Sequence, residues 1–199
     1  MHPANFDYHR ANSIDEAESL HKANADSSFL AGGHSLIPAM KLRLAEPGTL
    51  VDISGIDDLK GISRDGDTIR IGALTTHAEV ENSDVVNDAC TALAEAAGMI
   101  GDPQVRNRGT IGGNVAHADP ASDYPGILMA LGATIVTSGR SIAVDDFFTG
   151  LFETALDEGE MIKEIQVPAL GDGSGAAYAK FFNPASRYAV VGVGAVVSM

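Results

Sequence analysis

The sequence predicts an α/β or α+β fold in two units, a small one ending near Gly55 and a larger one beyond it. Short hydrophobic runs alternate with helical patterns from the start, which is the pattern of a mixed fold. The first about fifty residues read as a compact strand, glycine loop, helix and strand, within ordinary connection lengths. From Leu59 the pattern changes to hairpins followed by helices.

In order, Ser13-Ile14-Asp15-Glu16 reads as a capping box. Ile14, Ala17 and Leu20 supply the apolar stripe of the helix that follows. Ser28–Ala31 is a short strand running straight into Gly32-Gly33-His34-Ser35. Leu36–Leu44 is a helix, with Pro38 near its first turn, and Leu50–Ile53 is a second strand. Leu59–Ile62 and Thr68–Ile71 flank an Asp65-Gly66 hairpin turn. Thr75–Glu81 and the alanine-rich Val85–Ala97 are helices, the second closed by Gly98. Gly101–Tyr124 shows no periodicity and is dense in Gly, Asn, Asp and Pro. A structureless stretch of that length inside a domain points to function. Pro125–Leu131 is helical, Ala133–Thr137 and Ser141–Val144 form a hairpin, and Met161–Val167 alternates as a strand. Gly171–Gly175 is a joint, followed by Ala177–Phe182 and the apolar run Tyr188–Val197.

Composition excludes several classes. With 199 residues, 45% of them hydrophobic, the chain can bury a core without covalent staples. A single cysteine, Cys90, permits no disulfide framework and no cysteine-ligated zinc or iron–sulfur centre. It reads as a small apolar residue on its helix. A net charge of −14, with 13 scattered basic residues against 27 acidic ones, argues against nucleic acid as a partner. No apolar run approaches the length of a membrane span, and the N-terminus lacks a signal peptide's apolar segment, so a reducing, cytoplasmic location is expected.

Two glycine loops carry chemical content, Ala31-Gly32-Gly33-His34-Ser35 and Gly109-Thr110-Ile111-Gly112-Gly113-Asn114. Paired glycines let a backbone approach a ligand closely, and amides converging in such a turn form an anion-binding nest. The first loop also opens a helix. Together they suit a pyrophosphate held between two layers, although tight turns alone also account for paired glycines. No Gly-Lys-Ser/Thr follows either loop, and neither has the dinucleotide-fold spacing. Gly192-Val193-Gly194 is a strand. The net charge is a weak objection to a bound dianion, because exposed charges are screened beyond about 8 Å. Arg106 and Arg108 place positive charge beside the second loop, or pair with Asp102 and surface carboxylates.

The segments Ala31–Pro38, Gln104–Asn114 and Ala118–Pro125 closely resemble the FAD-binding medium subunit of molybdenum hydroxylases, the carbon monoxide dehydrogenase and xanthine dehydrogenase family. The match continues in chain order through Val51-Asp52-Ile53, Val144–Phe148 and Tyr178–Phe181 and covers nearly the whole chain. The resemblance implies an α+β fold of the p-cresol methylhydroxylase (PCMH) type, with FAD between subdomains 1–55 and 56–175. Residues 176–199 would begin a further C-terminal domain that is mostly absent. The apolar strand there is then an aggregation-prone edge, so the chain is expected to be a fragment or to be covered by another chain.

The resemblance also implies roles. Ala31, Gly32, Gly33, His34, Ser35, Thr110, Ile111, Gly112, Gly113 and Asn114 would hold the FAD pyrophosphate. His117 and Asp123 match positions that contact the flavin nucleotide, Asp123 accepting hydrogen bonds from FAD hydroxyls. Lys180 and Tyr188 match the region against the isoalloxazine ring, where a lysine stabilises reduced flavin and a tyrosine covers the ring. Alternatives stay open: Tyr188 as an ordinary strand aromatic, and His117 with Asp119 as a metal pair, for which no third ligand has suitable spacing. His77 reads as a surface residue at a helix start.

The implied activity is electron relay with no catalytic acid or base of its own. Partners would be a molybdenum-cofactor large subunit and a small subunit carrying 2Fe-2S clusters, in a hetero-oligomer that passes electrons through FAD to NAD, a quinone or another acceptor. A self-contained FAD-dependent reductase or oxidase, and a flavin-free assembly module, are the competing readings.

Overall fold

The computed structural model describes residues 2–199. Its first unit is built on three parallel strands. Strand β1 (Asp7–Arg10) leads to helix α1 (Ile14–Ala23), then strand β2 (Ser27–Leu30), helix α2 (Leu36–Lys41) and strand β3 (Thr49–Asp52). Strand β3 is central, with β1 and β2 on either side, both parallel to it, and all four of its residues are buried. Strand β1 was not anticipated. All four of its side chains are exposed, so it carries none of the alternation that marks a half-buried strand. At the start of α1 the Ser13 hydroxyl accepts the Glu16 N–H at 3.2 Å. The expected box is only half formed, because the Glu16 carboxylate accepts the Asn12 N–H instead of that of Ser13.

A 3-10 turn at Asp57–Leu59 leads into the second unit. Strands β4 (Ile62–Asp65) and β5 (Thr68–Gly72) pair about Gly66, whose φ of 59° suits a residue without a Cβ. Helices α3 (His77–Glu81) and α4 (Asp84–Gly98) follow, α4 being kinked at buried Cys90. The stretch read as structureless contains two short helices, α5 (Pro103–Arg106) and α6 (Ile111–His117), and α7 (Tyr124–Ala130) begins at its end. Strands β6 (Thr134–Thr137) and β7 (Ser141–Ala143), helix α8 (Val144–Phe147), strands β8 (Phe148–Gly150) and β9 (Glu153–Thr154), and strand β10 (Ile162–Pro168) complete the unit. Its sheet is antiparallel throughout, in the order β4-β5-β10-β6-β7. A parallel unit beside an antiparallel one is the α+β architecture expected.

Strands β11 (Ser174–Phe182) and β12 (Ala189–Ser198) form a separate antiparallel hairpin. The terminal apolar strand is therefore paired along its length with the strand before it. The hairpin lies against α4 and α7. A Cβ on Gly194 would stand 2.8 Å from the Gly126 carbonyl oxygen of α7, so that contact requires glycine.

The interior divides in two. Ala11, Ala17, Val51, Ile53 and Ile56 of the first unit cluster with Leu59, Leu74 and Met161. A larger cluster surrounds Ile69, Leu93, Ile111, Ile127 and Ile165. The cleft described next is walled by residues of both clusters, Ile53, Leu74 and Met161 from the first and Ala73, Ile100 and Ile162 from the second.

Candidate functional site

Between the two cores lies a cleft of about 720 Å³ that both glycine loops line. The first loop owes its shape to missing side chains. Gly33 has a φ of 73°, in the region that favours glycine, and a Cβ on Gly32 would overlap the Arg108 carbonyl oxygen. The two loops are thus in backbone contact, and Gly32 is what permits it.

Their amides differ in a way the sequence does not reveal. Among the described residues, the N–H groups of Gly32, Gly33, His34 and Ser35 have no acceptor in the protein. Four successive donors stand unpaired at the cleft wall, on residues that are half-buried or, at His34, exposed, so they are open to a ligand. In the second loop the amides of Gly109, Ile111, Gly112, Gly113 and Asn114 are used within the protein, and only that of Thr110 has no acceptor among the described residues. Ile111 N–H donates to the Thr75 carbonyl at 3.0 Å and Gly112 N–H to the Ala73 carbonyl at 2.9 Å. Gly113 N–H donates to the Thr110 hydroxyl at 3.2 Å and Asn114 N–H to the Thr110 carbonyl at 3.0 Å. That loop is the capped start of α6, stitched to the β5–α3 connection. A Cβ on Gly112 would stand 2.5 Å from the Ala73 Cβ, so Gly112 serves close packing.

All fourteen residues expected at the site are near the cleft, and all but Ile111 and Lys180 line it. Ile111 is fully buried in the larger core. His34 is exposed, with its ring Nδ1 3.2 Å from the Gly32 carbonyl oxygen. The His117 ring packs on Phe152 at 5.3 Å, and the Asp119 carboxylate accepts the Ala121 N–H. Asn114 accepts a short hydrogen bond from the Ser122 hydroxyl. Tyr188 is half-exposed, and burial followed by the Asp119 and Asp123 carboxylates pushes its phenol above the usual range. The Lys180 Nζ donates to Asp123 Oδ2 at 2.8 Å and to the Met99 carbonyl at 2.9 Å. Its side chain is only 2% exposed, which places the ammonium behind the cleft wall. Arg106 pairs with Glu81 at 2.8 Å, and Asp102 instead caps α5.

His77 is not on the surface. It is buried at the cleft wall, its Nδ1 has no partner among the described residues, and its ring lies 5.4 Å from that of Tyr124. Burial, then His34 and Arg106, lower its pKa to about 4, so it is neutral near pH 7. Sequence reasoning also missed the stacked His21 and Phe29 rings, and the Leu156–Ile162 segment that closes another side of the cleft. Phe29 sits in an ordinary strand pattern, and Leu156–Ile162 carries no motif.

Comparison with known proteins places this geometry. Residues 4–170 match the family described as the FAD binding domain in molybdopterin dehydrogenase. The carbon monoxide dehydrogenase medium chain of Hydrogenophaga pseudoflava is 44% identical over 202 residues, covering 99% of this chain and 70% of that relative. The glyceraldehyde dehydrogenase medium chain of Sulfolobus acidocaldarius is 40% identical over 203 residues, covering 100% of this chain and 72% of its own length. Among solved structures, carbon monoxide dehydrogenase from Hydrogenophaga pseudoflava aligns at a TM-score of 0.94 with 45% identity, over 96% of this chain and 69% of that one. Quinoline 2-oxidoreductase from Pseudomonas putida 86 aligns at 0.94 with 30% identity, over 100% of this chain and 70% of that one. The chain belongs to the family of FAD-binding domains of molybdopterin dehydrogenases.

Proposed function

We propose that this chain is the FAD-binding, electron-transferring subunit of a molybdenum hydroxylase complex, with FAD seated in the cleft between the two cores. The observation that carries the reading is the run of four unpaired amides at Gly32–Ser35 on the cleft wall, donors of the kind that cradle a pyrophosphate. The second loop has a different part: with all but its Thr110 amide spent internally, it buttresses the first through the Gly32–Arg108 contact and presents the Asn114 side chain. Asp123 and Tyr188 offer an acceptor and an aromatic face to the flavin.

Bound FAD would supply a carrier able to take up and release electrons one or two at a time. The protein's own residues bind and orient it and leave one part of the cleft open. The large molybdenum-cofactor subunit and the small iron–sulfur subunit are the partners this reading assigns. Among the described residues no group of three metal-ligating side chains gathers, and no helix is long and apolar enough to cross a membrane. A reducing cytoplasm is the location we assign, in keeping with a chain that has no pair of cysteines to link.

The test is purification and titration with FAD. The protein should carry or take up FAD with the visible absorption of an oxidised flavin. Gly33→Val, which adds a branched side chain at a φ of 73°, should abolish uptake. Gly112→Val, meeting Ala73, should also abolish it, together with a loss of stability. Full FAD occupancy in both variants would overturn the site.

A further inference from the structure

We propose that Tyr178 and Lys180 are positioning residues for the flavin: two donors on β11 that fix the Asp123 carboxylate from behind, so that its remaining lone pairs serve an N–H or O–H of the ligand. The inference rests on the reading that FAD occupies the cleft. Tyr178 Oη donates to Asp123 Oδ1 at 2.7 Å and Lys180 Nζ donates to Oδ2 at 2.8 Å, one donor to each oxygen. Asp123 lines the cleft whereas Tyr178 and Lys180 do not, so both donors approach from the protein side. An ionised carboxylate has about four acceptor positions. Two are taken, and those left belong to an anion whose side chain is 5% exposed and whose charge the Lys180 ammonium balances.

The hairpin is shaped for this arrangement. Strand pairing sets Tyr178 opposite Gly194 and Lys180 opposite Gly192. A Cβ on Gly192 would overlap the Tyr178 hydroxyl, with the nearest ring carbon beyond it at 3.2 Å. Gly192 therefore leaves room for one oxygen atom. A tyrosine kept only to fill the core would need no such gap. Burial and the Asp123 carboxylate raise the Tyr178 phenol, which keeps it a neutral donor. The Lys180 ammonium is further tied to the Met99 carbonyl at the end of α4, so the carboxylate is referenced to two elements at once.

The experiment is an FAD titration of flavin-stripped protein, read by flavin fluorescence and by the position of the visible absorption bands. Tyr178→Phe removes one oxygen and keeps the ring. It should weaken FAD binding about tenfold, the usual effect of one hydrogen bond to a charged group, and shift the bound flavin's spectrum. Gly192→Ala should reproduce both effects by displacing the hydroxyl, and should add less than about twofold once Phe stands at position 178. In an Asp123→Ala background, Tyr178→Phe should change affinity by less than about twofold, because the carboxylate through which it acts is gone. A purely structural tyrosine would weaken binding equally in both backgrounds and leave the spectrum unmoved, and that result overturns the inference. So does a Tyr178→Phe protein that binds FAD as the parent does. If the parent protein itself takes up no FAD, the functional reading falls and this inference with it.

Discussion

At the scale of single residues, the clearest departure from expectation is His77. A histidine opening a helix after two threonines has the pattern of a surface residue, yet its ring is 3% exposed and sits where the two glycine loops meet. A Cβ on Gly109 would stand 2.7 Å from its Nε2, so the glycine before Thr110 is the complement of this ring. Burial holds the native pKa at about 4 against an ordinary 6.5. Between those two values the unfolded chain binds a proton that the native protein refuses. The stability that neutral His77 contributes is thus fully present above pH 6.5 and is lost as the pH falls toward 4. One proton corresponds to about 1.4 kcal/mol per pH unit, so from pH 6.5 to 5 the loss is roughly 2 kcal/mol. Urea unfolding at these two pH values should show that loss in the parent and a smaller one in His77→Phe. An identical pH dependence in the variant would mean that the ring is not the group responsible.

At the scale of elements, the cleft wall Leu156–Ile162 is anchored by Met161 and Ile162 in the two cores and by a hydrogen-bond network at Glu160. The Glu160 carboxylate accepts from Arg140 Nε at 3.1 Å and Nη2 at 3.0 Å, from the Thr137 hydroxyl, and from the Asp157 N–H at 2.8 Å. Burial works to raise its pKa, but these donors outweigh burial and hold it down to about 2. The segment's stability is therefore present above about pH 4.5 and lost as the pH falls through 2. Glu160→Gln, which keeps the shape and removes the charge, should destabilise the protein by about 2 kcal/mol at pH 7 and weaken FAD binding. Thermal unfolding and the FAD titration check the two separately, and unchanged affinity would show that this wall does not touch the ligand. The same scale explains what the sequence disclosed. The Asp65-Gly66 hairpin, the Ser13 cap and α4 were readable because a turn, a cap or a long apolar stripe is a local signal. Helices α5 and α6 have caps in the sequence, Asp102 and Thr110, but with four and seven residues they show no periodicity, and the paired glycines masked α6. The two loops were legible as glycine pairs. Which of them keeps its amides free was not, because Ala73 and Thr75, which accept from Gly112 and Ile111 of the second loop, come from a distant part of the chain.

At the scale of the whole molecule, the consequence of a cleft between two cores is linkage. The first cluster recruits Leu74 and Met161 from beyond β3, and the nest residues Gly32–Ser35 line the same cleft as Asp123 and Tyr188 from later in the chain. A ligand that spans this cleft touches both halves and must leave before either unfolds. FAD at a hundredfold excess over its dissociation constant should then add about 2.7 kcal/mol to the folded state. For a chain of this size each kcal/mol moves the midpoint by roughly 2–4 °C, so saturating FAD should raise Tm by about 5–10 °C in a single transition. The net charge of −14 opposes a dianionic ligand only at long range, where salt screens it, whereas amides in contact are not screened. The rise in Tm should therefore be full at physiological ionic strength and shrink as salt is withdrawn. If FAD stabilised only one unit, calorimetry would resolve two transitions with one of them unmoved. In Gly33→Val the midpoint should stay where it is at every FAD concentration, because the nest that joins the ligand to the first core is lost.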